Sequence, residues 1–267
     1  MKQETIVLYP VLGRGHIVSM VELAMMLLQS THNYSIIILL TNGFLDHHTI
    51  NAYIHRISSS HPSISFLRLP HTPLPTFATT VSFTAKVTNF MKSNTHNVAT
   101  TLSQISKATT VKALIIDFFC SSAMEPASSM GIPVYYFFTS GAAVLALFSY
   151  FPKLHQERSV SFKDMVGVEL SVPGNASLKA VKLPEPMLER DDPAYWDVLD
   201  FCTRLAKARG ILVNSFSELE PAAVQAVAHG ACFPNVKLAP SVYCIGPLIA
   251  EPQESGTYDK LSCVFYY

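Results

Sequence analysis

Residues 5–29, TIVLYPVLGRGHIVSMVELAMMLLQ, carry the pattern on which the fold turns. The first five, rich in branched side chains, read as a strand. A turn holding Pro10, Gly13 and Gly15 follows. Then Ile17, Met20, Val21, Leu23, Ala24, Leu27 and Leu28 recur at helical spacing with one wide apolar face. Strand, glycine turn and helix in that order open a βαβ unit. The alternation repeats along the chain, predicting strands at 5–9, 34–41, 63–69, 112–117, 133–138, 210–214 and 242–245. Helices are expected at 16–29, 83–107, 121–130, 141–155, 194–209 and 218–229. Ser217 followed by Glu220 matches a capping box for the last helix, and Gly230 supplies its stop. The fold class is α/β, a Rossmann-like parallel sheet.

Composition agrees. Of 267 residues, 49% are hydrophobic and 14% charged, with 19 basic residues balancing 19 acidic ones. Disorder and a global attraction to nucleic acid are disfavoured, whereas strands buried on both faces need few polar residues. The five cysteines, Cys120, Cys202, Cys232, Cys244 and Cys263, contain no Cys-x-x-Cys pair and read as reduced core residues. The N-terminus has no cleavage-site pattern, so a cytoplasmic location is expected and Asn33 and Asn175 read as chance sequons. The apolar run at 141–151 is well short of the roughly 18 to 20 residues needed to span a bilayer. His47 and His48 are adjacent and cannot both face one ion from a regular helix, so no metal site is expected.

Two stretches break the rhythm. Residues 159–192, with Pro173, Gly174, Pro184 and Pro186, read as a long surface excursion that can line a cleft. From Gly246-Pro247 onward the chain reads as an interdomain linker. The ten residues after it, 258–267, cannot bury a core, so the sequence is expected to stop where another domain would start.

The residues that can carry chemistry lie just past strand ends, where open parallel sheets form their ligand crevice. His16 follows the first strand. A dinucleotide site of the G-x-G-x-x-G type would need a small residue where Val18 stands and an acid closing the second strand, which ends Thr41-Asn42. Asp117 ends the strand 112–117. A carboxylate there can hold one imidazole nitrogen while the other removes a proton from a hydroxyl. The alternative is that His16 packs at a helix start and Asp117 caps the helix near Ser121. Thr139-Ser140-Gly141 opens a further helix, with hydroxyls and amides that can bind sugar or phosphate oxygens, or with Ser140 as an ordinary N-cap. No G-x-S-x-G elbow exists. The aromatics Phe83, Phe90, Phe118, Phe119, Phe138 and Phe148 can wall a pocket or fill the core. Trp196 can face either.

Four blocks, IVLYPVLGRGHIVSMVELAMMLL, ALIIDFFCSSAMEPASSMGIPVYYFFTSGAA, ARGILVNSFSELEPAAVQAV and VYCIGPLI, together resemble the N-terminal half of plant UDP-sugar-dependent glycosyltransferases, particularly those that glucosylate flavonoids and anthocyanidins. The resemblance runs from about residue 4 to residue 249. It implies the N-terminal, acceptor-binding domain (1–249) of a two-domain GT-B type fold, followed by a linker and truncated tail (250–267). It implies His16 as general base, Asp117 as the aspartate that orients it, and Thr139 as a donor-sugar contact. Gly15, Phe83, Phe118, Phe119 and Met187 are the expected acceptor-binding positions. The implied reaction is inverting transfer of a sugar, most commonly glucose, from UDP-sugar to a phenolic hydroxyl by a monomer, with UDP-sugar as co-substrate and neither cofactor nor metal. The family's donor-binding half, with its HCGWNS-like segment, has no counterpart here, so the chain alone is expected to be inactive. The alternative is a non-catalytic product that binds phenolic ligands or associates with a full-length relative.

Overall fold

The computed structural model describes residues 2–30, 34–44, 48–77, 81–234 and 236–248. The expected linker and tail at 250–267, Cys263, Asn33 and His47 lie outside them. In chain order the main elements are β1 (Glu4–Tyr9), α1 (Arg14–Ser30), β2 (Tyr34–Leu40), α2 (His48–Ser60), β3 (Ile64–Arg68), α3 (Phe83–Ser93), α4 (Thr95–Ala108), β4 (Thr110–Asp117), α5 (Met124–Ser129) and β5 (Val134–Phe138). There follow α6 (Ala142–Gln156), the two-residue strands β6 (Glu169–Leu170) and β7 (Leu178–Lys179), α7 (Pro193–Leu205), β8 (Gly210–Val213), α8 (Pro221–Ala228) and β9 (Ser241–Cys244). The chain divides into two compact units, one built mainly from Met1–Thr76 and Asn89–Phe137, the other mainly from Phe77–Thr88 and Phe138–Pro247.

The first unit is an open parallel sheet in the order β3-β2-β1-β4-β5. Its centre is apolar on both faces: Val7, Leu8, Leu114 and Ile116 are fully buried, and α1 covers it with Met20, Val21, Leu23 and Ala24. That burial of branched side chains stabilises the unit and explains the low charge of the sequence. Strand order reverses between β1 and β4, which pair directly, with Tyr9 opposite Ile116. This is the topological switch point, the usual place for a ligand crevice.

In the second unit β8 pairs β9 in parallel register, Gly210 opposite Ser241 through Val213 opposite Cys244. Its core gathers rings: Phe151 lies 5.9 Å from Phe162 and 5.5 Å from Tyr195. The stretch 159–192 is less superficial than its composition suggests. Phe162, Leu170, Ala180 and Met187 are fully buried, each from a short turn or bridge of its own, so the anchors have no common period.

All seven predicted strands form, with ends shifted by one or two residues. Three helix readings are corrected. The helix expected at 83–107 breaks at Asn94, whose buried amide donates to the Phe90 carbonyl (2.9 Å) and accepts from Thr72 Oγ1 (2.9 Å), a local alternative to helical pairing. The segment 121–130 begins instead as a 3-10 turn, Phe118–Ala123, before α5. Finally, α2 forms where no helix was predicted, burying Ile50, Tyr53 and Ile57 on one face. No described helix is long and apolar enough to cross a membrane, and the described residues contain no cluster of metal-ligating side chains. The four described cysteines are free thiols.

Candidate active site

The turn after β1 brings His16 back over the sheet edge. Gly13 sits at φ +129°, a conformation an L side chain strains to adopt, and its carbonyl accepts the Ile17 N–H (3.1 Å), closing the first turn of α1. Gly15 lies inside that turn. His16 therefore leaves α1 nine-tenths buried, beside the end of the neighbouring strand β4.

At that end stands Asp117, 1% exposed. Its two oxygens have different partners. Oδ1 accepts the Phe119 N–H (3.2 Å) and so caps the 3-10 turn, while Oδ2 lies 2.7 Å from His16 Nδ1. The cap and the imidazole pairing, alternatives in the sequence, are both present, one on each oxygen. A carboxylate only accepts, so Nδ1 carries the proton, and in the neutral ring the lone pair is then on Nε2. Phe119 meets the imidazole edge-on at 6.3 Å, and Phe118 packs on Phe119 at 4.3 Å. Both phenylalanines are more than nine-tenths buried. The neighbouring Cys120 is no rival nucleophile: burial, reinforced by the Asp117 charge, pushes its thiol well above the usual range, so it stays protonated. A cavity of about 30 Å³ between the 10–13 turn and Phe44 is too small for a phenolic ring.

The remaining predicted positions belong to the second unit. Thr139 is half-buried just past β5, and its carbonyl accepts from Asn214 Nδ2 (3.4 Å). Phe83 is half-buried at the start of α3, whose first turn is held by Ser82: Oγ accepts the Ala85 N–H (3.3 Å) and donates to Asp192 Oδ1 (3.1 Å). Met187 is fully buried. Trp196 is half exposed, its Nε1 donating to the Arg190 carbonyl (2.9 Å). A cavity of about 440 Å³ lies between α6 and α7 near Ser149, Cys202 and Phe233, and contains none of the predicted site residues.

The start of α6 differs from its sequence reading. Gly141, not Ser140, is the N-cap, and the first amides are already occupied: Ala142 N–H and Ala143 N–H donate to Glu220 Oε2 (2.7 Å) and Oε1 (2.9 Å). Glu220 also accepts from the fully buried Ser215 hydroxyl. Burial opposes ionisation of this carboxyl, but the bonds from Ser215, Ala143 and Ala142 outweigh it and hold the group below its ordinary value. The capping-box reading of Ser217 and Glu220 is thus overturned, because the carboxylate closes α6 and not its own helix. Nothing local pointed to α6.

At the switch point of the parallel sheet, then, stands a buried histidine–aspartate pair, a geometry in which an imidazole can accept a proton at Nε2. No family model matches the chain. UDP-glycosyltransferase 88F3 of Pyrus communis is 46% identical over 256 residues, covering 94% of this chain and 53% of the relative. Phloretin 2'-O-glucosyltransferase of Malus domestica is 45% identical over 258 residues, with the same coverages. Among solved structures, Phytolacca americana UGT2 complexed with UDP-2fluoro-glucose and pterostilbene matches with a TM-score of 0.84 at 28% identity, covering 94% of this chain and 56% of that one. The chain is homologous to the N-terminal half of plant UDP-glycosyltransferases. It spans about half the length of the curated relatives it matches.

Proposed function

We propose that residues 1–249 are the acceptor-binding half of a GT-B type UDP-glycosyltransferase, with 250–267 as linker, acting on a phenolic small molecule in the cytoplasm as a monomer. The observation that carries the reading is the 2.7 Å contact between His16 Nδ1 and Asp117 Oδ2 at the switch point of a chain homologous to such enzymes. Asp117 holds the imidazole in the tautomer whose Nε2 accepts a proton. A phenol with a pKa of about 10 is mostly protonated at neutral pH and needs that base. As the proton moves to Nε2, the phenolic oxygen attacks the anomeric carbon of the sugar, the bond to the nucleoside diphosphate breaks, and configuration inverts. The imidazolium is stabilised by Asp117. Neither cofactor nor metal takes part. UDP-sugar, glucose in the simplest case, is the co-substrate, with Thr139 touching the sugar. Gly15, Phe83, Phe118, Phe119 and Met187 shape the acceptor side.

The test uses a chimera joining residues 1–248 to the C-terminal half of the Pyrus communis relative. With UDP-glucose and phloretin, His16→Ala is expected to lower kcat by about 10²- to 10⁴-fold while acceptor affinity holds. Transfer undiminished by His16→Ala overturns the base assignment. The 267-residue chain alone is expected to bind phloretin without turnover, and robust turnover by it overturns the need for a second half.

A further inference from the structure

Two segments far apart in sequence are tied together at the head of α6. Residues 138–143 comprise the last residue of β5, Thr139 and the first amides of the helix. Residues 214–220 answer them bond for bond: the Asn214 N–H donates to the Phe138 carbonyl (3.0 Å), Asn214 Nδ2 to the Thr139 carbonyl (3.4 Å), and the Ala142 and Ala143 amides to Glu220. From the other side Asn175 Nδ2 donates to the Ala143 carbonyl (2.8 Å). Gly141 leaves room for the approach: a Cβ there would stand 2.5 and 2.8 Å from the two carboxylate oxygens, which would have to shift. A helix start with free amides attracts phosphate and carboxylate anions. Here an internal carboxylate takes the place such an anion would fill, through charge-assisted bonds of about twice the strength of neutral ones.

We propose that Glu220 is a positioning residue for the donor sugar: an internal anion that closes the α6 N-terminus to phosphate and fixes the Thr139–Ala143 backbone from which Thr139 reaches the sugar. The inference rests on the reading of Thr139 given above. Its structural half stands apart from catalysis, because it concerns which anion occupies two named amides. It also specifies that the phosphates of the nucleotide are bound elsewhere.

The first measurement follows the Ala142 and Ala143 amide resonances of the ¹⁵N-labelled 267-residue chain. In the native sequence, acetate and inorganic phosphate are expected to leave both unmoved. In Glu220→Ala both shift, and acetate returns them towards their native positions by occupying the vacated space. Native amides that move with phosphate, or Glu220→Ala amides that do not move at all, overturn the clamp. Should Glu220→Ala fail to fold, Glu220→Gln keeps the shape and loses the charge, and is expected to shift the same two amides less. The second measurement uses the chimera: Glu220→Gln is expected to raise KM for UDP-glucose or lower kcat by about tenfold at unchanged phloretin affinity, and acetate to restore part of the loss in Glu220→Ala. An active chimera indifferent to both substitutions overturns the positioning role. A native chimera with no transfer overturns the glycosyltransferase reading and the role of Thr139 with it, while the amide result still decides the clamp.

Discussion

Asp117 and Glu220 are both carboxylates bonded to the amides of a helical turn, the first as the last residue of β4, the second as the residue that precedes α8. They differ in what else they hold. Asp117 gives one oxygen to the Phe119 amide and the other to an imidazole. Glu220 gives both to amides and adds a buried hydroxyl. An imidazole relays the carboxylate's influence to a second nitrogen that exchanges protons, whereas amides and a serine hydroxyl exchange nothing at neutral pH. The first network can therefore pass a proton, and the second cannot.

The largest effect expected is from Asp117→Asn, which breaks chemistry while sparing architecture. The amide oxygen can still cap the Phe119 N–H, but the amide nitrogen must donate to His16 Nδ1, moving the ring proton to Nε2 and leaving no base there. Transfer by the chimera should fall about 10²- to 10⁴-fold. Ring ¹⁵N shifts of the 267-residue chain should report the exchanged tautomer. A variant that keeps its rate with the tautomer exchanged would erase the distinction between the two carboxylates.

The seven longer strands were visible in the sequence because runs of branched side chains, fully buried at the sheet centre, leave a local signature, whereas the two-residue β6 and β7 leave none. Asp117 was visible because it ends such a run, and His16 because it lies in the first turn of the helix after one. Their pairing depended on β1 lying beside β4, which strand composition does not specify. Helix α2 was missed although Ile50, Tyr53 and Ile57 share a face, since Asn51, His55 and Arg56 between them and the three serines that follow dilute the pattern. The break at Asn94 depends on Thr72, 22 residues upstream. Glu220 was misread because a capping box is a local rule, and the amides it closes lie 77 and 78 residues before it.

Gly141→Ala probes the second carboxylate with a smaller effect. The backbone at Gly141 (φ −71°, ψ 174°) suits any residue, so the methyl group adds no conformational strain and acts only by pushing the Glu220 oxygens off the α6 amides. Leaving those amides poorly paired should cost about 1–3 kcal/mol. Urea unfolding should show a lower midpoint with an unchanged slope. The His16 tautomer should stay as in the native chain, so a change in both properties would mean that the two networks are not separable.

The smallest effect is the pH dependence of the clamp, and its sign follows from the depressed Glu220 carboxyl. A group held below its ordinary value binds its proton more readily in the unfolded chain, so the stability it contributes is complete above that value and is lost as pH falls through the folded one. The native chain should exceed Glu220→Gln in stability by a constant margin from pH 7 down to about 5. Below the ordinary value of 4.5 the margin should close. Ser215→Ala removes one of the three bonds that depress this carboxyl, so its margin over Glu220→Gln should be smaller; it should start to fade at the same ordinary value but be fully lost at a higher pH than in the native chain. Equal acid limbs for all three proteins, followed by urea midpoint against pH, would mean that the Glu220 carboxylate is not held by these bonds in solution.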